Sequence, residues 1–328
     1  MHGLGKSAQH PPKDYAACSG CGLCLLVCPV WRREHDIVLT PLGRAKALQH
    51  GAVAADIEAS VQSCTLCAAC EPVCPEEIPL VEMTLDLRRQ LPQPAAMPDL
   101  RARMDEQARP QPAAATLLLP GAALRARPAT LARAAALLAA AGGVAIADDE
   151  GADIALALEA GSTIPPQRME RFLRPLQGLK KLIVAEGLLL RHLRSLLPRS
   201  NIIGLGEALS SLPAVRDALR TGDLYVIEPR AYHGDYQRLV KHYDSLRSAT
   251  GCALNLDLQR IAIPATARSL PQRLGLESVD DAVQTRWILQ GRNITRIVVE
   301  SAEDGAAFAQ VAACPVVHLA DLADDGTS

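Results

Sequence analysis

Eight of the ten cysteines in this chain fall into two copies of one run. The first reads Cys18-Ser-Gly-Cys21-Gly-Leu-Cys24-Leu-Leu-Val-Cys28-Pro29. The second reads Cys64-Thr-Leu-Cys67-Ala-Ala-Cys70-Glu-Pro-Val-Cys74-Pro75. Both fit C-x₂-C-x₂-C-x₃-C-P, the spacing that holds [4Fe–4S] clusters through thiolates in bacterial ferredoxins. Three cysteines at x₂ intervals wrap a short loop around one corner of a cube. The fourth lies beyond the loop and, in two-cluster ferredoxins, reaches the other cluster. Cys18, Cys21, Cys24 and Cys74 are therefore expected at one cluster, and Cys64, Cys67, Cys70 and Cys28 at the other. That crossing ties two distant segments into one domain. Pro29 and Pro75 are expected to stop a regular helix at the crossing point. Gly20 and Gly22 let the backbone come close to the sulfides.

Zinc and disulfides compete for such cysteines. Two complete runs, each closed by proline, favour clusters over both. Residues 1–17 lack an apolar signal core, so the reading places the chain in the reducing cytoplasm, with any inner-membrane attachment made through a partner. Net charge is −2 and aromatics make up 3% of residues, which speaks against a nucleic-acid surface. The longest apolar stretch, residues 134–147, is too short to span a bilayer. It reads as a helix end followed by a strand.

Residues 1–91 are expected to form a helical dicluster domain. Within the spacer between the runs, Leu42, Ala45 and Leu48 carry helical spacing, Ile57 and Val61 lead a second helix into Cys64, and residues 80–91 suggest a third. Residues 92–115 are rich in Pro, Ala and charge and read as a linker, with a docking segment as the alternative. The remainder repeats itself, over 116–215 and 216–328. Pro120 and Pro229 stand equally far ahead of Gly142 and Gly251. Glu186 and Glu300, and Leu205 and Leu319, share one offset. Each copy alternates strand and helix, with strands at 116–119, 144–146, 182–184 and 201–203 in the first. The expected class is thus multidomain α+β, a helical ferredoxin domain followed by two related α/β repeats with small parallel sheets.

The two runs, the linker, the two repeats and the stretch Thr40-Pro41-Leu42-Gly43-Arg44 resemble the iron–sulfur subunits of glycolate oxidase and anaerobic glycerol-3-phosphate dehydrogenase, and heterodisulfide reductase subunits with an N-terminal ferredoxin domain. The resemblance implies an electron-transfer subunit of an oxidoreductase complex. It would relay single electrons from a flavoprotein dehydrogenase or oxidase to a quinone reductase, a cytochrome or another iron–sulfur protein. In that family each C-terminal repeat carries a Cys-Cys-Gly element that can hold a further cluster. Here the matching turns read Leu119-Pro120-Gly121-Ala122 and Glu228-Pro229-Arg230, without cysteine. The repeats are accordingly read as degenerate, with a catalytic heterodisulfide-reductase-like subunit or a cluster-stapled scaffold as alternatives.

Cys252 and Cys314 are the remaining cysteines and read as small core hydrophobes. Arg32, Arg33, Glu34, His35 and Asp36 read as a solvated turn, with a docking surface as the alternative. Tyr232, His233, Tyr236, His242 and Tyr243 read as helix core and surface, since no metal-ligand spacing is present. Gly204-Leu-Gly206 is only a fragment of a dinucleotide fingerprint. No flavin, nicotinamide or zinc is expected on this chain.

Overall fold

A computed structural model describes residues 13–93, 104, 110–257 and 259–322. The first part is helical, with no strand among the described residues up to 93. Its helices are α1 (Leu23–Val27), α2 (Pro29–Glu34), α3 (Pro41–Gln49), α4 (Glu58–Ser63) and α5 (Leu80–Gln90). Thr40 caps α3 through Gly43 N–H, and α4 ends at Cys64. Pro29 does more than end a helix: it occupies the first position of α2, where its missing N–H costs nothing. Tyr15, Ala45, Ile57, Val61, Ile78 and Leu87 form the local core, with Cys18, Cys70 and Cys74 packed against it.

Two four-stranded parallel sheets follow. The first orders its strands β2-β1-β3-β4, from β1 (Thr116–Leu119), β2 (Ala145–Ile146), β3 (Lys181–Val184) and β4 (Ile202–Gly204). The second orders them β6-β5-β7-β8, from β5 (Asp223–Val226), β6 (Ala253–Leu254), β7 (Arg296–Val299) and β8 (Val316–His318). The two orders are the same. Leu117 pairs beside Leu182 and Leu224 beside Ile297, and nearly every central residue is apolar because both faces are covered. Helices fill the crossovers: α6 (Gly121–Arg125), α7 (Pro128–Ala140), α8 (Ala152–Ala160), α9 (Pro166–Leu173), α10 (Gly187–Leu196), α11 (Leu205–Ser210), α12 (Pro213–Asp217), α13 (Pro229–His233), α14 (Tyr236–Thr250), α15 (Leu270–Arg273), α16 (Ala282–Leu289) and α17 (Ala302–Ala309).

One apolar core is shared by both sheets. Leu118 and Ile183 of the first and Tyr225 and Val298 of the second belong to it. The outer faces have cores of their own, around Leu117, Val184 and Phe172, and around Leu224, Val299 and Phe308. Cys252 is buried in the shared core, and Cys314 packs half-buried against the outer core of the second sheet.

The helical part docks on both sheet units. Arg191 of α10 pairs with Glu71 at 2.6 Å. The Arg32 guanidinium stacks 3.6 Å from the Trp287 ring centre, and Arg33 donates to Ala267 O at 2.9 Å. The charged run after Cys28 is therefore partly a contact within the chain and not only a solvated turn. Most of the expected linker lies outside the described residues. Of the rest, Met104 is buried with Ala157, Ala160 and Leu270, and the Gln111 side chain accepts from Asp148 N–H at 3.1 Å. No helix among the described residues is long and apolar enough to cross a membrane.

Candidate metal centres

The structure gathers Cys18, Cys21, Cys24 and Cys74 around one cavity, walled also by Gly22, Pro41, Ala45 and Leu80. It gathers Cys28, Cys64, Cys67 and Cys70 around a second, walled also by Arg44, Leu66 and Val81. Each cavity takes three cysteines from one run and the closing cysteine of the other. Cys21 is exposed, whereas Cys28 and Cys67 are buried and the other five are half-buried. The first centre thus has an open side and the second lies inside. Among the described residues no group of three or more His, Cys, Asp or Glu side chains converges as the ligands of one metal ion do.

The loops share a backbone requirement. Gly20 and Gly22 adopt φ of 81° and 77°. The equivalent places in the second run are Leu66 and Ala68, with φ of 52° and 60°. The left-handed region costs glycine nothing and other residues about 1–2 kcal/mol. Both runs therefore bend alike, and only the second does so without glycine.

Four of the eight thiols are held neutral in the absence of a cation. Burial, then the neighbouring Cys18, Cys21 and Cys74, pushes Cys24 up to about 11. Burial pushes Cys67 up to about 12, and raises Cys28 and Cys70 as well. Cys64 is the exception. Burial opposes its thiolate, but the guanidinium groups of Arg44 and Arg88 outweigh that and bring it below the usual thiol range. Four sulfurs in one wall cannot all ionise unless positive charge enters among them, and bound iron supplies it.

The second cavity also contains an unused donor. Arg44 is 1% exposed and donates from Nη1 to Ser60 O at 2.8 Å, yet its buried Nε–H has no partner in the protein. A buried N–H without an acceptor is costly. Sulfide or thiolate sulfur of a cluster would be the missing acceptor. The donor set and this orphaned group both fit an iron–sulfur cluster. When bound, such a cluster supplies one-electron transfer.

Three side chains from outside the second run hold its carbonyls. Arg88 Nη2 donates to Cys64 O at 2.6 Å. Arg230 Nη2 donates to Thr65 O at 2.8 Å. His233 contacts Cys67 O through Nδ1 at 2.7 Å. Ala262 N–H donates to His233 Nε2, which leaves the ring proton on Nδ1 and makes it the donor to Cys67 O. Burial lowers His233 to about 4, so it is neutral at neutral pH. Arg230 is anchored by Glu159 at 2.8 Å and Glu186 at 3.3 Å. None of these roles shows in the sequence, where His233 reads as a helix core or surface position. No local pattern marks a side chain that serves a carbonyl more than 160 residues away.

A larger cavity of about 460 Å³ opens between the carboxyl ends of the two sheets. Residues just after β1, β3, β5 and β7 line it, including Gly121, Glu186, Glu228 and Glu300. In each sheet the central strands send the chain to opposite sides, so the crevice lies at both switch points, where α/β sheets usually take ligands. Glu186 and Glu228 turn back to accept the first N–H groups of α10 and α13. Thr65 and Cys67 belong to its wall and to the wall of the second cysteine cavity.

Residues 14–78 match the family model described as 4Fe-4S dicluster domain. No curated protein and no solved structure matches the chain. The matched segment contains both cysteine runs, and the chain is an iron–sulfur protein with a role in electron transfer, built from a ferredoxin-like N-terminal part and a mixed helix and strand remainder.

Proposed function

We propose that this chain is the electron-transfer subunit of an oxidoreductase complex, carrying two [4Fe–4S] clusters. Cys18, Cys21, Cys24 and Cys74 would hold the first, and Cys64, Cys67, Cys70 and Cys28 the second. The observation that carries this is the sorting of the eight cysteines into two four-sulfur cavities, three from one run and one from the other in each. Donors spread around a cavity suit a cube better than a single zinc ion. Electrons would come singly from a flavin-containing dehydrogenase or oxidase and leave to a quinone reductase, a cytochrome or another iron–sulfur protein. Those partners follow from the family resemblance. The two sheets, alike in strand order, support reading residues 116–215 and 216–328 as related repeats that have lost their cysteine-rich elements.

The exposed side at Cys21 suits an exchange with a partner protein. The heterodisulfide-reductase-like alternative has one observation in its favour: the large inter-sheet cavity reaches Cys67. Cys67 is the only cysteine in its described lining, so a further thiolate-held metal has no ligand set there.

The test is anaerobic purification with iron and sulfide analysis and EPR before and after dithionite. About eight irons per chain with two interacting [4Fe–4S]⁺ signals is the expected result. About four irons would sink the two-cluster relay, and clearly more than eight would bring the catalytic reading forward.

A further inference from the structure

We infer that Arg230 and His233, from the sheet region outside the two cysteine runs, are positioning residues that impose on the Cys64–Cys70 loop the backbone shape its cluster needs. The inference rests on the two-cluster reading and says what half of the chain does for one cluster only.

Each of the two runs needs left-handed backbone at the second residue after its first cysteine and at the residue after its second. The first run meets this with Gly20 and Gly22. Its loop needs little help: Lys46 and Gln49 of α3, within the same domain, contact Cys18 O at 3.3 and 2.9 Å. The second run places Leu66 and Ala68 there. Non-glycine residues persist in that region only where the surroundings over-determine them.

The surroundings here come largely from elsewhere in the chain. Leu66 and Ala68 pack with Val81, Leu85 and Leu188. Arg230 fixes Thr65 O and His233 fixes Cys67 O, so the carbonyls on either side of Leu66 are both taken by α13. Arg230 is itself locked between Glu159 and Glu186 of the first sheet unit, and His233 by Ala262 N–H. The N–H groups of Leu66 and Ala69 meanwhile donate to the sulfurs of Cys64 and Cys67. Three parts of the chain thereby hold one strained peptide run. Among the described residues the first cluster loop has no equivalent hydrogen bond from either sheet unit.

The experiment uses the full chain, purified anaerobically. Arg230→Gln, His233→Leu, His233→Asn and Ala68→Gly are each challenged with a ferrous chelator. The two clusters are followed separately by EPR, their signals assigned with Cys21→Ser and Cys70→Ser. Arg230→Gln and His233→Leu are expected to release the second cluster about tenfold faster and the first at the wild-type rate, the effect of losing one buried hydrogen bond. His233→Asn keeps a donor near the Nδ1 position and is expected to restore most of the loss. Ala68→Gly removes part of the strain and is expected to slow release in the Arg230→Gln background. If Arg230→Gln fails to fold, the histidine pair and Ala68→Gly alone still decide, since glycine at 68 is expected to retard loss of the second cluster in the otherwise wild-type chain. Equal release rates for both clusters in every variant overturn the inference and leave the two-cluster reading intact. A wild-type chain that takes up no iron overturns both.

Discussion

Arg44 stands in the wall of the Cys28, Cys64, Cys67 and Cys70 cavity with a buried N–H that no protein atom accepts. Reducing a cluster adds negative charge, and a fixed cation beside it favours that state. Arg44→Gln is therefore expected to lower the midpoint potential of the second cluster by about 60 mV, a tenfold change in its reduced fraction at fixed potential. The cysteines that feel the charge of Arg44 are Cys64 and Cys28 of the second set, so the first cluster should barely move. An EPR-monitored redox titration checks this, and equal shifts in both signals would refute it. At this scale the sequence was uneven to read. Ligand spacing is local, so the cysteines were legible from the runs. The guanidinium of Arg230 and the imidazole of His233 act on carbonyls 165 and 166 residues away, and such partners become visible only after folding. The missing glycines at 66 and 68 were a readable signal, because the first run shows what those places require.

Helices with apolar spacing and a proline or cap at one end were legible, as α3 and α5 show. Leu80, Val81, Leu85 and Leu87 of α5 are all buried. Strands were legible as short apolar runs, because in parallel sheets both faces are covered and no alternation is needed. The packing between elements was not, because it depends on what a glycine leaves out. Gly187 opens α10, and a Cβ there would lie 2.6 Å from Ala231 N on α13. Backbone cannot yield as a flexible side chain does. Gly187→Ala is expected to destabilise the chain by roughly 2 kcal/mol. Gly142→Ala, where a Cβ meets nothing within 4 Å, should be close to neutral. Denaturant unfolding of the two variants side by side measures the difference, and equal midpoints would show that α10 and α13 are free to separate.

Across the whole molecule, buried carboxyls set a pH preference. Burial raises Glu300 and Asp304 to about 7 each, although Tyr225 and Tyr243 donate to the first and Thr266 to the second. Both groups bind protons more tightly folded than unfolded, so their contribution is complete below about pH 4 and is lost as pH rises through 7. Glu159 runs the other way. Burial opposes its charge, but Arg230 and Arg273 bring it down to about 2, so its contribution is present above about 4.5 and lost toward pH 2. The carboxyl contribution should fall from pH 5 toward pH 8, by up to about 3 kcal/mol for each raised group, Glu228 at about 8 included, while His233, lowered to about 4, recovers part of it up to about pH 6.5. Anaerobic thermal melts over that range test it, and Glu300→Gln should flatten the slope. A rise in melting temperature from pH 5 to 8 would contradict the assignment. The shared core has a consequence of another kind. Because Leu118, Ile183, Tyr225 and Val298 bury one another's neighbourhood, the seam between the sheets is not a hinge, and a gene split there would yield two proteins with wet, sticky faces. Each half would be soluble only in the company of the other, so two sheets that share one core in this way are hard for evolution to part.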